Sequence, residues 1–476
     1  MTKVNKPTIG LLPLYLALYD ETSPEARPRI NEFYSTIARE LGSRELEVVT
    51  ADVCRIKSEF DRAVSGFEKA GVDAIVTLHL AYSPSLECSE ALSRTHLPVI
   101  VLDTTPTFSF APGQDPAEIM YNHGIHGVQD MCNLLIRNGK PFEIEAGHWE
   151  KSDVLDRVAA WARAARVASN MRSAKVGRIG IPFVGMGDFA VPENVLKSTI
   201  GVETLAADFA ELRSLMPNDE DPLVDAEMAE DARRFSSKGR RSLSPAIDGL
   251  DSDAHRRTTR TCLAVRRWIE MKGLSAFTMN FDVIDESTGL GTLPFLEASK
   301  AMGRGIGYAG EGDVLTAAMV GALAAVYPDT TFTEMFCPDW ENDTLFLSHM
   351  GEANPNLLTG EIVLKQKNMS FLKVESPVMV FGRFRGGQAV FVDLAPGPDD
   401  TYTLIAIPVT VIDDDNRDTM TDTVRGWIQP NLPISDVLEE YSRLGGTHHA
   451  ALVYGDRQED IIRFGQLMGW DVAVLG

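Results

Sequence analysis

Residues 46–79, LEVVTADVCRIKSEFDRAVSGFEKAGVDAIVTLH, contain two apolar, β-branched runs with an amphipathic stretch between them. L-E-V-V-T-A (46–51) and D-A-I-V-T-L-H (73–79) have the length and composition of strands, and F-D-R-A-V-S-G-F-E-K-A (60–70) has helical periodicity. A strand–helix–strand succession implies parallel strands joined by a helical crossover. Working outward, T-I-G-L-L-P-L-Y (8–15) and L-P-V-I-V-L-D (97–103) read as further strands, and a helix is expected over 24–41. None of these strands alternates with polar residues, so both faces of the sheet should be covered. Ligands in such sheets lie beyond the carboxyl ends of the strands, where His79, Asp103 and Thr104 fall.

A second α/β pattern opens at K-V-G-R-I-G-I-P (175–182). It continues through a helix near 261–272, the strand-like A-F-T-M-N-F-D (276–282) and a helix over 294–302. It is interrupted by an acidic, then basic stretch at 217–244. There P-N-D-E-D-P reads as a loop and S-S-K-G-R-R-S-L-S-P as an exposed connection. After residue 328 short β-rich runs separated by Gly, Pro and Asp turns suit an antiparallel barrel or sandwich. The chain closes on a helix (459–468) and a strand (470–475). The predicted domains are 1–173, 174–327 and 328–476.

At 476 residues the chain exceeds one core. Its 45 Lys+Arg against 68 Asp+Glu leave a formal charge of −23, which disfavours nucleic acid and anionic membrane surfaces as partners and suits a neutral sugar or a cation. Five scattered cysteines without a C-x-x-C pair argue for a reducing compartment and against a disulfide framework. Nowhere do 18 apolar residues run together, and the first residues lack a secretory apolar run, so a cytoplasmic protein without a membrane span is expected.

Four segments carry residues suited to one divalent metal: G-Y-A-G-E-G-D around Glu311, T-F-T-E ending at Glu334, S-H-M at His349 and G-G-T-H-H at His448 and His449. Two carboxylates with one or two imidazoles suit Mn²⁺ or a similar divalent cation and leave coordination positions for substrate. Each residue also has a plainer reading. Glu311 and Asp313 equally suit the positive end of a following helix, Glu334 a strand edge, and His349 a buried structural histidine. Strand alternation lets one imidazole of the H-H pair face a given metal; His449 is favoured, with His448 the alternative. His123 and His126 in N-H-G-I-H-G are spaced to serve one site on a helical turn. G-x-S-x-G and H-E-x-x-H motifs are absent.

At these segments the chain resembles the L-arabinose isomerase family and, more distantly, the L-fucose isomerases. The similarity is densest in F-T-M-N-F-D (277–282), L-P-F-L-E-A-S-K-A-M-G-R-G-I-G-Y-A-G-E-G-D (293–313), T-F-T-E-M-F (331–336) and L-F-L-S-H-M (345–350), and it includes G-G-T-H-H (445–449). N-H-G-I-H-G-V-Q-D (122–130), A-G-H-W (146–149) and Y-S-P (82–84) match as well. The resemblance implies two flavodoxin-like parallel-sheet domains followed by a C-terminal antiparallel β-barrel. It further implies one Mn²⁺-type ion held by Glu311, Glu334, His349 and His449, and a trimer-based homo-oligomer such as a hexamer. His126 would line the sugar site, reaching in from a neighbouring subunit. L-P-L-Y-L-A-L-Y-D (12–20) stands where the family has Gln-His-Leu-Tyr-Gly, His123 replaces a Gln, and M-F-C-P-D-W (335–340) replaces a different aromatic run. The divergence thus falls in segments expected to contact sugar hydroxyls.

The expected reaction is aldose–ketose interconversion of a free sugar through a cis-enediol, with Glu311 and Glu334 as the acid/base pair. His349 and His449 would anchor the ion, His123, His126 and His448 would contact or orient substrate, and Asp313 would contact substrate or orient the metal ligands. The alternatives are another carbohydrate conversion on the same scaffold, such as epimerisation, and a non-catalytic sugar-binding homologue.

Overall fold

The structure, a computed structural model, describes residues 6–235, 249–370, 372–413 and 419–476. It divides into two compact units, Asn5–Ser169 and Asn170–Gly476. In the first, β1 (Thr8–Leu14), β2 (Glu47–Thr50), β3 (Ala74–His79), β4 (Val99–Asp103) and β5 (Glu143–Ala146) form one parallel sheet in the order β2-β1-β3-β4-β5. That is the flavodoxin-like order, which places its switch point between β1 and β3. Every residue of β3 is buried, whereas the edge strand β2 is partly exposed, as two helical layers over the middle of a sheet require. Phe60, Val64 and Phe67 from one helix and Cys88, Ala91 and Leu92 from the next fill one side.

The second unit begins with β6 (Lys175–Ile179), β7 (Glu203–Ala206), β8 (Ala276–Met279) and β9 (Gly307–Gly310), parallel in the order β7-β6-β8-β9. It continues with β10 (Thr330–Asp339), β11 (Thr344–Ser348), β12 (Leu358–Gln366), β13 (Val378–Phe384), β14 (Gly387–Pro396), β15 (Tyr402–Val411), β16 (Gly426–Pro430), β17 (His449–Tyr454) and β18 (Asp471–Val474). Strands β14-β17-β10-β11-β16-β15 pair antiparallel and close through β14–β15 into a six-stranded barrel. β18 adds in parallel to β15, and β12 and β13 form a separate antiparallel pair. The helix Val314–Ala324 is buried at all 11 positions and packs against β8 and β9 as well as β10 and β17. An all-round apolar helix is what such a position demands.

Parts of the sequence reading need correction. Residues 222–234 are not irregular: Asp221 caps a helix Pro222–Arg234 by accepting from the Leu223 N–H, and Val224, Met228 and Ala232 bury one face of it. The rest of the charged stretch, 236–248, lies outside the described residues. Glu334 does not end its strand, because β10 runs on to Asp339 by pairing with β11 through a bulge between Met335 and Cys337. Pro338 is tolerated there because β17 pairs only with residues 330–334, leaving that edge of β10 open. No helix among the described residues is long and apolar enough to cross a membrane, and all five cysteines are unpaired.

Candidate metal centre

Glu311 follows directly on β9 in a left-handed backbone conformation, φ 62°, which strains a non-glycine residue. Its neighbours hold it there. The Thr278 hydroxyl donates to the Gly310 carbonyl and accepts from the Gly312 N–H, both at 3.1 Å, while the Phe183 N–H donates to the Glu311 carbonyl at 2.8 Å. The flanking glycines are close-approach positions. A Cβ on Gly310 would lie 2.9 Å from His349 Cε1, and one on Gly312 would lie 2.7 Å from the Pro182 Cα. The turn therefore exists to bring a carboxylate and an imidazole against the same strand end.

Barrel register supplies the remaining groups. On β10, Glu334 pairs across to Ser348 of β11 and to His449 of β17. His349, next after Ser348, and His449 thus flank the Glu334 carboxylate from both sides. Glu334 Oε1 lies 3.2 Å from His349 Nε2 and 3.0 Å from His449 Nε2. Glu311 Oε2 lies 3.6 Å from the Nε2 atoms of both His448 and His449. The alternation expected for the H-H pair does not apply: His448 precedes β17, outside the ladder, and both imidazoles reach Glu311.

Each imidazole is held from behind by a carboxylate, which can only accept and therefore requires an Nδ1–H. His349 Nδ1 donates to Glu352 Oε2 at 2.7 Å, His449 Nδ1 to Asp313 Oδ2 at 2.9 Å and His448 Nδ1 to Asp188 Oδ2 at 2.6 Å. All three Nε2 atoms are thereby turned toward the two glutamates, the orientation that metal-binding histidines need. Asp313, expected to contact substrate, is fully buried behind His449. Its other oxygen caps the helix Val314–Ala324 by accepting from the Thr316 N–H. Glu352 and Asp188 were missed in the sequence. Glu352 left a faint signal, three residues past His349; Asp188 lies 260 residues from its partner.

Burial alone would push the Glu311 carboxyl up, but His448 and His449 outweigh it and hold it at about 2. Burial disfavours the charged form of His449, yet Asp313, Glu311 and Glu334 together raise it well above its ordinary value. The same opposition, with Glu352 the chief partner, raises His349. Glu311 Oε2 and His449 Nε2 are buried without a hydrogen-bond partner. Buried polar atoms are rarely left so, and a single divalent cation satisfies both. Ligand atoms of Glu311, Glu334, His448 and His449 all lie within 4.8 Å of one another. The donor set fits a hard-to-borderline divalent ion.

His123 and His126 belong to the first unit, at the start of the helix Gly124–Arg137, with ring centroids 6.1 Å apart. His123 has both nitrogens engaged, Nε2 with the Tyr19 hydroxyl at 2.9 Å and Nδ1 with the Ile119 carbonyl at 2.7 Å. The His126 ring stands edge-on to Tyr82, 6.4 Å between centroids.

Two family models match, the L-arabinose isomerase central domain over residues 197–327 and the L-arabinose isomerase C-terminal domain over 329–471. The L-arabinose isomerases of Salmonella arizonae and Salmonella typhi are each 26% identical to this chain over 457 residues, covering 92% of this chain and 86% of theirs. A periplasmic solute-binding protein of an ABC transporter from Actinobacillus succinogenes, with bound D-allose, aligns at TM-score 0.18 and 13% identity over 67% of this chain and 92% of its own; at that score the likeness carries no argument. Fold, site and sequence matches define an isomerase of the intramolecular oxidoreductase class. The chain is a divergent member of the L-arabinose isomerase family.

Proposed function

We propose that the protein interconverts an aldose and its ketose through a cis-enediol, with Glu311 and Glu334 moving the proton and a divalent metal bound beside them. The observation that carries this reading is the convergence of two carboxylates with three imidazoles whose Nδ1 atoms are each tied back by a further carboxylate. Glu311, Glu334, His349 and His449 would hold the ion. A cation such as Mn²⁺ in that position supplies the positive charge that stabilises an enediolate. Glu311, ionised at neutral pH, is equipped to take the C2 proton and pass it to O1, and Glu334 to take the O2 proton and deliver it to C1. Either carboxylate serves as the base, depending on which face of the sugar is presented. Non-catalytic sugar binding finds no support in this arrangement, since binding alone needs no pair of carboxylates on a metal.

His126 is the substrate-orienting residue in this reading, and His123 supports it. Leu18, Leu86, Phe108, Phe110, Ile119 and Ile125 stand exposed after β1, β3 and β4, at the end of the first sheet that carries these histidines. Such an apolar rim suits a second copy of the chain and supports a trimer-based homo-oligomer such as a hexamer. Three domains at 1–173, 174–327 and 328–476, and a cytoplasmic location consistent with five unpaired cysteines, complete the reading.

The test is a panel of free pentoses, hexoses and deoxysugars with Mn²⁺ in D₂O, followed by NMR. Deuterium entry at C2 or ketose product, abolished by EDTA and by Glu334→Gln, is the expected result. Silence across the panel with Mn²⁺ demonstrably bound refutes aldose–ketose exchange and moves the choice to epimerisation.

A further inference from the structure

The loop that follows β6, G-I-P-F-V-G-M-G-D-F-A-V (180–191), contributes none of the four proposed ligands, yet it meets the cluster at several points. Phe183 bonds the Glu311 carbonyl, and Pro182 backs Gly312. Phe189 stacks on His449 at 4.9 Å with an interplanar angle of 11°, and its ring lies 5.5 Å from that of His448. Asp188 Oδ2 accepts from the His448 backbone N–H at 3.0 Å as well as from its Nδ1 at 2.6 Å.

We infer that Asp188 is a positioning residue for substrate chemistry: it fixes His448 with Nδ1–H engaged and Nε2 free, aimed beside Glu311 at the sugar rather than committed to the metal. This rests on the isomerase reading above. The three imidazoles differ in exposure, although it is His448, not His349, that shares the tight group of ligand atoms with Glu311, Glu334 and His449. The His349 and His449 side chains are 3% and 0% exposed, while that of His448 is 38% exposed. Only an exposed imidazole can meet an incoming hydroxyl. Its orientation is not inherited from the barrel, because His448 precedes β17 and is approached through Gly445 and Gly446, the former at φ 80°. One carboxylate oxygen accepts both bonds, from the backbone and the ring of the same residue, and so fixes both its place and its rotation. With Nδ1–H engaged from behind, Nε2 is the ring atom turned toward the site.

Asp188→Leu keeps the approximate shape but removes the acceptor, whereas Asp188→Asn can turn its carbonyl oxygen to both His448 donors and so keeps it. The full-length protein, ¹⁵N-labelled at histidine, would be examined by long-range ¹H–¹⁵N NMR, with the His448 signals assigned by their loss in His448→Gln. Mn²⁺ titration calorimetry and steady-state kinetics on whichever sugar exchanges would accompany it. In Asp188→Leu the expected results are loss of the Nδ1–H signature of His448, Mn²⁺ affinity within about twofold, and kcat lower by about ten- to a hundred-fold at little changed KM. Asp188→Asn is expected to keep the signature and part of kcat. Retention of the signature in Asp188→Leu overturns the inference. So does a loss expressed as weaker Mn²⁺ binding, which would make His448 a ligand, or an unchanged kcat once the signature is gone. If no sugar turns over, the isomerase reading fails by itself, while the NMR and Mn²⁺ titration still judge the role of Asp188.

Discussion

Replacing Gly310 by alanine adds one methyl group to the tightest contact in the site. Gly310 is not at positive φ, so the backbone accepts alanine and the effect is confined to the side chain. Its Cβ would lie 2.9 Å from His349 Cε1 and 3.0 Å from Nε2. Ordinary carbon contacts begin near ~3.5 Å, so the imidazole must move by about 0.6 Å. It has nowhere easy to go, being held by Glu352 at 2.7 Å and lying edge-on to Phe332 with centroids 4.9 Å apart. A shift of that size stretches the Glu352 bond past the ~3.2 Å limit for a good hydrogen bond. Weakening a charged, buried hydrogen bond costs about 1.5–3 kcal/mol, and overpacking adds about 1–3 kcal/mol. We therefore expect Gly310→Ala to destabilise the protein by about 2.5–6 kcal/mol and to weaken Mn²⁺ binding by about ten- to a hundred-fold. Urea unfolding and Mn²⁺ calorimetry measure the two effects. In the double variant with His349→Ala the added methyl meets open space, so a double-mutant cycle should return a coupling close to the whole cost of Gly310→Ala. Unchanged Mn²⁺ affinity in Gly310→Ala, or additive single and double variants, would falsify the claim that the missing Cβ makes room for His349.

Three further outcomes follow from packing and charge. Asp393 on β14 is fully buried, and burial pushes its carboxyl up to about 7 against the pull of its bonds from Thr447. A carboxyl raised in the folded state stabilises it fully below the unfolded value near ~4, and that contribution is lost as pH rises through about 7. Asp393→Asn should therefore flatten a slope worth about 4 kcal/mol between pH 4 and 8, read by urea unfolding across that range. Glu297, with no exposed side-chain surface, accepts from Arg266 and Arg304 inside a network completed by Glu227, Lys300 and Asp231. Glu297→Gln leaves one positive charge uncompensated and should cost about 3–5 kcal/mol in the same assay; a loss below 1 kcal/mol would mean that water or neighbours already screen the network. Gly307 faces the backbone of Gly321 and Ala317 in the helix Val314–Ala324, so Gly307→Ala must push that helix off β9. It should abolish soluble expression or lower the melting temperature steeply, whereas Gly273→Ala, at a helix end with nothing near its Cβ, should remain folded.

What could be read in the sequence followed from how local each signal is. The parallel sheets were legible because β1, β3 and β4 are continuous apolar runs whose period and length owe nothing to distant residues. The helix Pro222–Arg234 was not, because Val224, Met228 and Ala232 are outnumbered by charges on its solvent face and submerged in a stretch that reads as disordered. The extent of β10 was hidden by Pro338, which ends a central strand but not one with an open edge. In the site, Glu311, Glu334, His349 and the His448–His449 pair announced themselves as ligand-type residues in unusual settings. Glu352 and Asp188 did not, since an acidic residue gives no local sign that it will anchor an imidazole. Barrel register decides that His449 and Ser348 flank Glu334, and register is a property of three strands together.

The site therefore consists of two kinds of parts with different origins. The barrel supplies Glu334 and His449 on rigid, hydrogen-bonded strands and His349 directly after β11, where a one-residue slip would turn each proposed ligand to the wrong face. The second parallel sheet supplies Glu311 and Asp188 from turns at its strand ends, where length and composition change without disturbing the sheet. The three proposed ligands at barrel strands are held most rigidly, whereas Glu311 depends on the bonds around its turn and Asp188 on its loop. This division predicts where altered specificity is to be sought. Exchange of residues 184–188, which leaves Phe183 on the Glu311 carbonyl and Phe189 on His449, should change which sugar turns over with Mn²⁺ affinity preserved, and exchange within β10 or β17 should destroy the affinity itself.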